Sequence, residues 1–238
     1  MPASTWLITG ASRGIGLEYA RQIIEKGDVV FATARTPEKA VELQKLKESA
    51  QGSLHIVQLD VCIPESISSA VKLVEDILQG GGIDYLISNA GILNSHDEKP
   101  SMIDTLEMLD IFKTNVVGSV LVYQGFLPLI ERSNRPGGPV LVNISSGSGS
   151  ITRAKNADST SYSVSKAALN MLTVKQAFEK PNIIVIAMAP GWVKTEMGGA
   201  SAVFDVDFSV RGQLKSIVAA TRADSGKYKV HNGSEYTW

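Results

Sequence analysis

The feature that most constrains this chain is a set of short, almost wholly apolar runs, at 6–9, 29–34, 54–59, 83–88, 139–145 and 183–189, each followed by helical periodicity. Runs with no polar alternation are expected where both faces of a strand are covered, as in a parallel sheet flanked by helices. The intervening segments at 14–26, 37–50, 64–79, 101–111, 112–132, 160–180 and 207–222 read as helices, punctuated by Gly27, Pro64, Gly80-Gly81-Gly82 and Pro136-Gly137-Gly138. With a weaker final strand at 227–231, this predicts six or seven strands in a doubly wound α/β fold of the Rossmann type. At 238 residues, with no linker or repeat, the chain is expected to form one domain over 1–238.

Composition removes several classes of function. Twenty-three Lys and Arg stand against 24 Asp and Glu, a net charge of -1 that provides no basic field for nucleic acid. A single cysteine, Cys62, cannot close an internal disulfide, and His55, His96 and His231 lack the spacing of a metal site, so no metal is expected. No signal-like start and no apolar run of membrane-crossing length is present, so a cytoplasmic protein with no membrane partner is expected.

The first strand runs into Thr9-Gly10-Ala11-Ser12-Arg13-Gly14-Ile15-Gly16. Between a strand and a helix, such a turn presents backbone N–H groups and a helix N-terminus to a pyrophosphate. The spacing is G-x-x-x-G-x-G rather than G-x-G-x-x-G, and the position in the chain points to a dinucleotide. Further on, Tyr162-Ser163-Val164-Ser165-Lys166 puts a phenol and an ammonium on one helix face. A nearby cation lowers a tyrosine pKa from its usual value of about 10, which makes the phenol a usable acid or base.

Together with Asn89-Ala90-Gly91, Asn115, the strand ending Ile144-Ser145-Ser146 and Pro190-Gly191, these segments resemble the short-chain dehydrogenase/reductase family in order and spacing across nearly the whole chain. The loop 147–161, the stretch 190–199 and the ending from Gly226 to Trp238 resemble sniffer-like carbonyl reductases and fungal polyketide ketoreductases. The resemblance implies Tyr162 as proton donor, Lys166 as the group that tunes it and holds the nicotinamide ribose, Ser146 as the hydroxyl on the substrate carbonyl, and Asn115 as support for a proton relay. Ser145 is the less favoured serine, although the gap from Ser146 to Tyr162 is about three residues longer than the family's usual one. Asp60-Val61 is expected at the adenine, Asn89-Ala90-Gly91 at the adenosine ribose, and Pro190, Gly191, Val193 and Thr195 at the nicotinamide end. The alternative for Thr195 is a helix N-cap.

Family members that prefer NAD place an acid at the end of the second strand, where it would repel a 2′-phosphate. This chain has Arg35 there and Arg13 in the glycine turn, so NADP(H) is the expected cofactor. The implied activity is hydride transfer between NADPH and a ketone or aldehyde. The alternatives are a non-catalytic NADP(H)-sensing module and an alcohol dehydrogenase running oxidatively. Only residues 196–206 are available to cover the pocket, which predicts an open site for bulky carbonyl compounds, with mobility expected at Gly198-Gly199. His96 is expected to be a solvated loop residue, His55 a strand surface residue and Cys62 inert, while Trp192 is a candidate pocket residue and Trp6 and Trp238 packing groups. Homo-oligomers through the helices at 112–132 and 160–180 are common in the family.

Overall fold

A computed structural model describes residues 3–238. In chain order the elements are β1 (Thr5–Ile8), α1 (Gly14–Ile24), β2 (Val29–Ala34), α2 (Val41–Ser49), β3 (Leu54–Gln58), α3 (Pro64–Leu78), β4 (Tyr85–Ser88), α4 (Thr105–Phe112), α5 (Gly118–Glu131), β5 (Val140–Ile144), α6 (Thr160–Glu179), β6 (Ile184–Ala189), α7 (Val206–Val218) and β7 (Lys227–Val230). All seven strands pair in parallel in the order β3-β2-β1-β4-β5-β6-β7. Chain direction across the sheet reverses between β1 and β4, and ligands of open α/β sheets bind beyond the strand ends at such a point.

The near-continuous apolar runs have the cause read from the sequence. Ile8, Val30, Ile87, Val142 and Ile186 face α1, α2 and α7, and pack on Tyr19, Ile23, Leu43 and Leu214. Their strand neighbours Leu7, Phe31, Leu86, Leu141 and Val185 face the other way, against Ile67, Val74, Val122 and Phe126 of α3 and α5. Helix α6 departs from this pattern because its inner face is polar. Asn143 of β5 donates to Thr173 Oγ1 (2.9 Å) and Gln176 Oε1 (2.8 Å) inside that interface.

Three expected elements differ. The helix at 37–50 is a 3₁₀ turn, Pro37–Lys39, then α2, because Ala40 leaves helical geometry. The helices at 101–111 and 112–132 are joined by a π-helical turn, Lys113–Val117, that carries Asn115. The helix at 207–222 stops at Val218, and a separate 3₁₀ turn over Arg222–Asp224 is closed by a capping box between Thr221 and Asp224.

Candidate active site

Beyond the strand ends at the β1/β4 crossing lies a cleft of about 1610 Å³. Its floor is the glycine turn. Gly10 (φ +66°) and Gly14 (φ +57°) adopt the left-handed conformation that glycine takes without a Cβ penalty. A Cβ on Gly16 would stand 2.3 Å from the Gly10 carbonyl oxygen, so α1 can seat this closely only with glycine there. Asn89, after β4, locks the turn: its Nδ2 donates to the carbonyls of Thr9 (2.9 Å) and Gly10 (3.1 Å), and its N–H and that of Ala90 donate to Thr9 Oγ1. Ser12, Ile15, Ala90 and Gly91 line the cleft beside it, whereas Gly16 is buried beneath.

Arg13 is the N-cap residue of α1 but makes no side-chain cap, and the first turn holds no acid, so the helix N-terminus is open to an anion. Arg13 instead meets Glu196 across the cleft at 3.3 Å, with both side chains largely exposed. Arg35, just past β2, lines the cleft and has no carboxylate within ion-pair distance among the described residues. Asp60 and Val61, after β3, line the same half, and Asp60 Oδ1 accepts from the Cys62 N–H at 2.9 Å. These features fit a phosphorylated dinucleotide: backbone room, an uncapped helix terminus and an unengaged guanidinium, with Arg35-Thr36 rather than an acid directly at the end of β2.

At the centre of the cleft, Tyr162 and Lys166 project from the first two turns of α6. Ser146 lines the cleft beside Tyr162, and its hydroxyl accepts from the Ser148 N–H at 3.2 Å. Lys166, buried, donates through Nζ to the Ile144 carbonyl at 2.8 Å, and a Cβ on Gly91 would lie 3.5 Å from that nitrogen. Burial lowers the ammonium's pKa to about 8. The phenol does not follow the expectation that Lys166 lowers it. Burial raises its pKa, with Ser146 pulling the other way, and Nζ stands 5.6 Å from the ring centre, committed to Ile144. In this geometry Tyr162 is a protonated donor at neutral pH.

Asn115 does not line the cleft. Fully buried, it accepts from Ile92 N (2.8 Å) and donates to Ile92 O and Ser165 Oγ (both 3.0 Å), clamping the loop after Gly91 to the helix of Tyr162. Both serines border the cleft but differ in their engagement. Ser145 is buried and donates to Asn170 Oδ1 at 2.6 Å, while Ser146 opens to the cleft.

Pro190, Gly191 and Val193 line the far wall, where a Cβ on Gly191 would meet the Phe204 ring at 2.8 Å. Thr195 caps a turn rather than a helix: its Oγ1 accepts from Gly198 N at 3.0 Å, and α7 begins only at Val206. The segment over 196–206 is also tied down more than its glycines suggest. Val193 bridges Phe204, the N–H groups of Val203 and Phe204 both donate to the Trp192 carbonyl, and the Trp192 indole donates to Gly198 O at 2.8 Å.

His96 is exposed, yet its Nε2 meets the Met197 carbonyl at 2.9 Å and joins two loops at the cleft mouth. His55, partly exposed on the edge strand β3 as expected, also stacks on Phe31, and Cys62 lies at the cleft edge, 3.5 Å from Thr114 Oγ1. Trp6 stacks on Tyr85 within the core, and Trp238 stacks on Tyr228. Sequence reading missed three residues. Buried Tyr228 donates to the Ser146 carbonyl from 82 residues away, Tyr236 lines the cleft over Gly147, and Glu98 binds the start of α6. Only folding brings these pairs together, and no local spacing signals them.

No group of three or more His, Cys, Asp or Glu suited to a metal occurs among the described residues, and no helix there is long and apolar enough to cross a membrane. The short chain dehydrogenase family model matches residues 4–204. The short-chain dehydrogenase gsfK of Penicillium aethiopicum is 33% identical over the full length of both chains, and anuI of Penicillium roqueforti is 34% identical over 86% of this chain and 84% of that one. Among solved structures, the NADPH-bound carbonyl reductase from chicken fatty liver superimposes with a TM-score of 0.93 at 36% identity, covering all of both chains. The carbonyl reductase Sniffer of D. melanogaster gives 0.94 at 28% identity over 99% of this chain and all of that one. A glycine turn locked by Asn89, a Ser146–Tyr162–Lys166 centre and full-length similarity in sequence and fold have one common source: the chain belongs to the short-chain dehydrogenase family.

Proposed function

We propose that this protein is an NADPH-dependent reductase of ketones and aldehydes, with Ser146, Tyr162 and Lys166 as its catalytic residues. The observation that carries the reading is one cleft wall that brings together the Ser146 hydroxyl, the Tyr162 phenol and the buried Lys166 ammonium, which donates to Ile144 O and has no carboxylate partner among the described residues. A buried ammonium is costly to keep unless it serves chemistry. The NADPH in the chicken relative supports the cofactor assignment, as does Arg35.

The glycine turn and the α1 N-terminus hold the pyrophosphate, Arg35 and Arg13 the 2′-phosphate, Asp60 and Val61 the adenine side, and Asn89 to Gly91 the adjoining ribose. Pro190, Gly191, Val193 and Thr195 border the nicotinamide. Bound NADPH supplies the hydride. Ser146 orients the substrate by donating to its carbonyl oxygen, and Tyr162 gives that oxygen a proton as negative charge develops. Lys166, held at the Ile144 carbonyl, would bind the ribose hydroxyls of the bound cofactor. Asn115 keeps α6 and Gly91 at working distance through Ser165 and Ile92.

On the substrate side the cleft continues past Tyr162 to Leu93, Asn156, Trp192 and Tyr236, beyond the residues assigned to the cofactor. This supports bulky carbonyl compounds as substrates. Tyr162→Phe tests the reading: turnover with NADPH across a panel of ketones, aldehydes and quinones is expected to fall about 10²- to 10⁴-fold. NADPH affinity, followed by fluorescence titration, should hold. Near wild-type turnover in the variant would sink the assignment.

A further inference from the structure

Helix α6 carries Tyr162 but lacks a cap of its own. Its N-cap residue Ser159 sits at φ +49° and makes no side-chain cap. The orphan donors of the first turn are met from the loop after β4, more than 60 residues upstream. The His96 carbonyl accepts from the N–H and Oγ of Ser159, both at 3.1 Å, and the Glu98 carbonyl from the N–H and Oγ1 of Thr160, both at 3.2 Å. The Glu98 carboxylate then takes both donors of one residue, Ser161 N (2.7 Å) and Ser161 Oγ (2.9 Å). Ser161 is 1% exposed and directly precedes Tyr162.

From this we infer that Glu98 is a positioning residue that fixes the first turn of α6 and thereby the Tyr162 phenol against Ser146. Two short bonds to a charged acceptor are stronger and more directional than a solvent cap, and the carboxylate lies at the positive end of the helix dipole. Without it, the first turn is free to fray by a fraction of an ångström to an ångström, and proton transfer is sensitive on that scale. Of the residues assigned above to holding the cofactor only Lys166 stands on α6, and it is anchored separately to the Ile144 carbonyl, so cofactor affinity is expected to move little with this contact. The inference rests on the reading of Tyr162 as proton donor.

The test compares Glu98→Ala, Glu98→Gln and Tyr162→Phe in the full-length protein, with turnover expressed per folded molecule. Glu98→Ala should lower kcat by about tenfold or more, with NADPH Kd held within about twofold. Glu98→Gln still offers an oxygen to the Ser161 N–H and should recover most of the loss. Unchanged kcat in Glu98→Ala, or NADPH affinity falling in step with kcat, overturns the inference, whereas a purely structural cap would shift only the melting temperature. Should Glu98→Ala fail to fold, Glu98→Gln combined with Ser161→Ala takes its place, and full turnover there is equally fatal. An inactive Tyr162→Phe beside a fully active Glu98→Ala removes the role of Glu98 alone, while an active Tyr162→Phe removes both.

Discussion

The two halves of the cleft are built by different means. On the cofactor side the fit is backbone against backbone: Gly16 beneath the Gly10 carbonyl, Gly10 against Ala90, and Asn89 bonded to both turn carbonyls. On the substrate side the walls are side chains from distant loops. The His96 ring reaches Met197 O across 101 residues, the Trp192 indole ties to Gly198 O while half its surface stays exposed, and the Arg153 guanidinium lies 4.6 Å over the Tyr236 ring. A wall of backbone tolerates displacements of a few tenths of an ångström, while a wall of exposed side chains can be rebuilt without moving the fold. The cofactor is therefore written into the architecture, and the substrate into its periphery.

The largest effect that would break this contrast concerns one methyl group. Gly16→Ala places a carbon 2.3 Å from the Gly10 oxygen and 2.7 Å from Asn89 Nδ2, which forces the turn open. NADPH binding, measured by titration on protein whose circular dichroism shows native secondary structure, should weaken about 100-fold or more. Gly199→Ala is the matched control in the substrate half. Its φ of +73° imposes strain, but a Cβ there meets nothing within 4 Å, and cofactor binding should stay within about threefold of wild type. Equal losses in the two variants would erase the distinction between the halves.

A smaller effect sharpens it. Arg35 borders the cofactor half, exposed and unengaged, whereas Arg13 already meets Glu196. A charge-assisted contact from Arg35 to a 2′-phosphate corresponds to a preference of roughly 10- to 100-fold. Arg35→Asp should shift the NADPH/NADH ratio of kcat/KM by that factor and leave the carbonyl substrate's KM at saturating cofactor unchanged. A ratio that does not move would take Arg35 out of the phosphate site.

How much of this was legible before folding follows the same division. Glycine spacing after an apolar strand, and a phenol four residues from an ammonium, are local patterns whose physics acts within one turn, so the sheet, the cofactor turn and the Tyr162–Lys166 pair could all be read. The π turn at Asn115 could not, because one extra residue in a helical bond leaves the apolar periodicity of 101–132 almost unchanged. Glu98, Tyr228 and Tyr236 were invisible for a different reason: their partners Ser161, Ser146 and Gly147 become neighbours only through the order of strands in the sheet. The pKa expectation for Tyr162 failed because spacing along a helix places two side chains on one face without saying which third group claims the ammonium, and Ile144 does so.

The smallest predicted effect is on stability, at the residue where the two halves meet. Lys166 is 3% exposed, and its pKa falls from 10.5 to about 8 through burial. Below pH 8 the ammonium is charged in both the folded and the unfolded chain, and the full cost of burying it weighs on the fold. Between about pH 8 and 10.5 the unfolded chain holds a proton that the folded one has released, so this residue's contribution to stability rises with pH across that window. Lys166→Met removes the buried charge but also the donor to Ile144 O, a loss that partly offsets the gain. At pH 7 the variant, free of cofactor, should be more stable than wild type by about 1–2 kcal/mol while losing activity. Paired denaturant melts at pH 7, 8.5 and 10 should show that gain shrinking as pH rises. A variant less stable than wild type at pH 7, or a difference that grows with pH, would mean that the bond to Ile144 outweighs the cost of burying the charge.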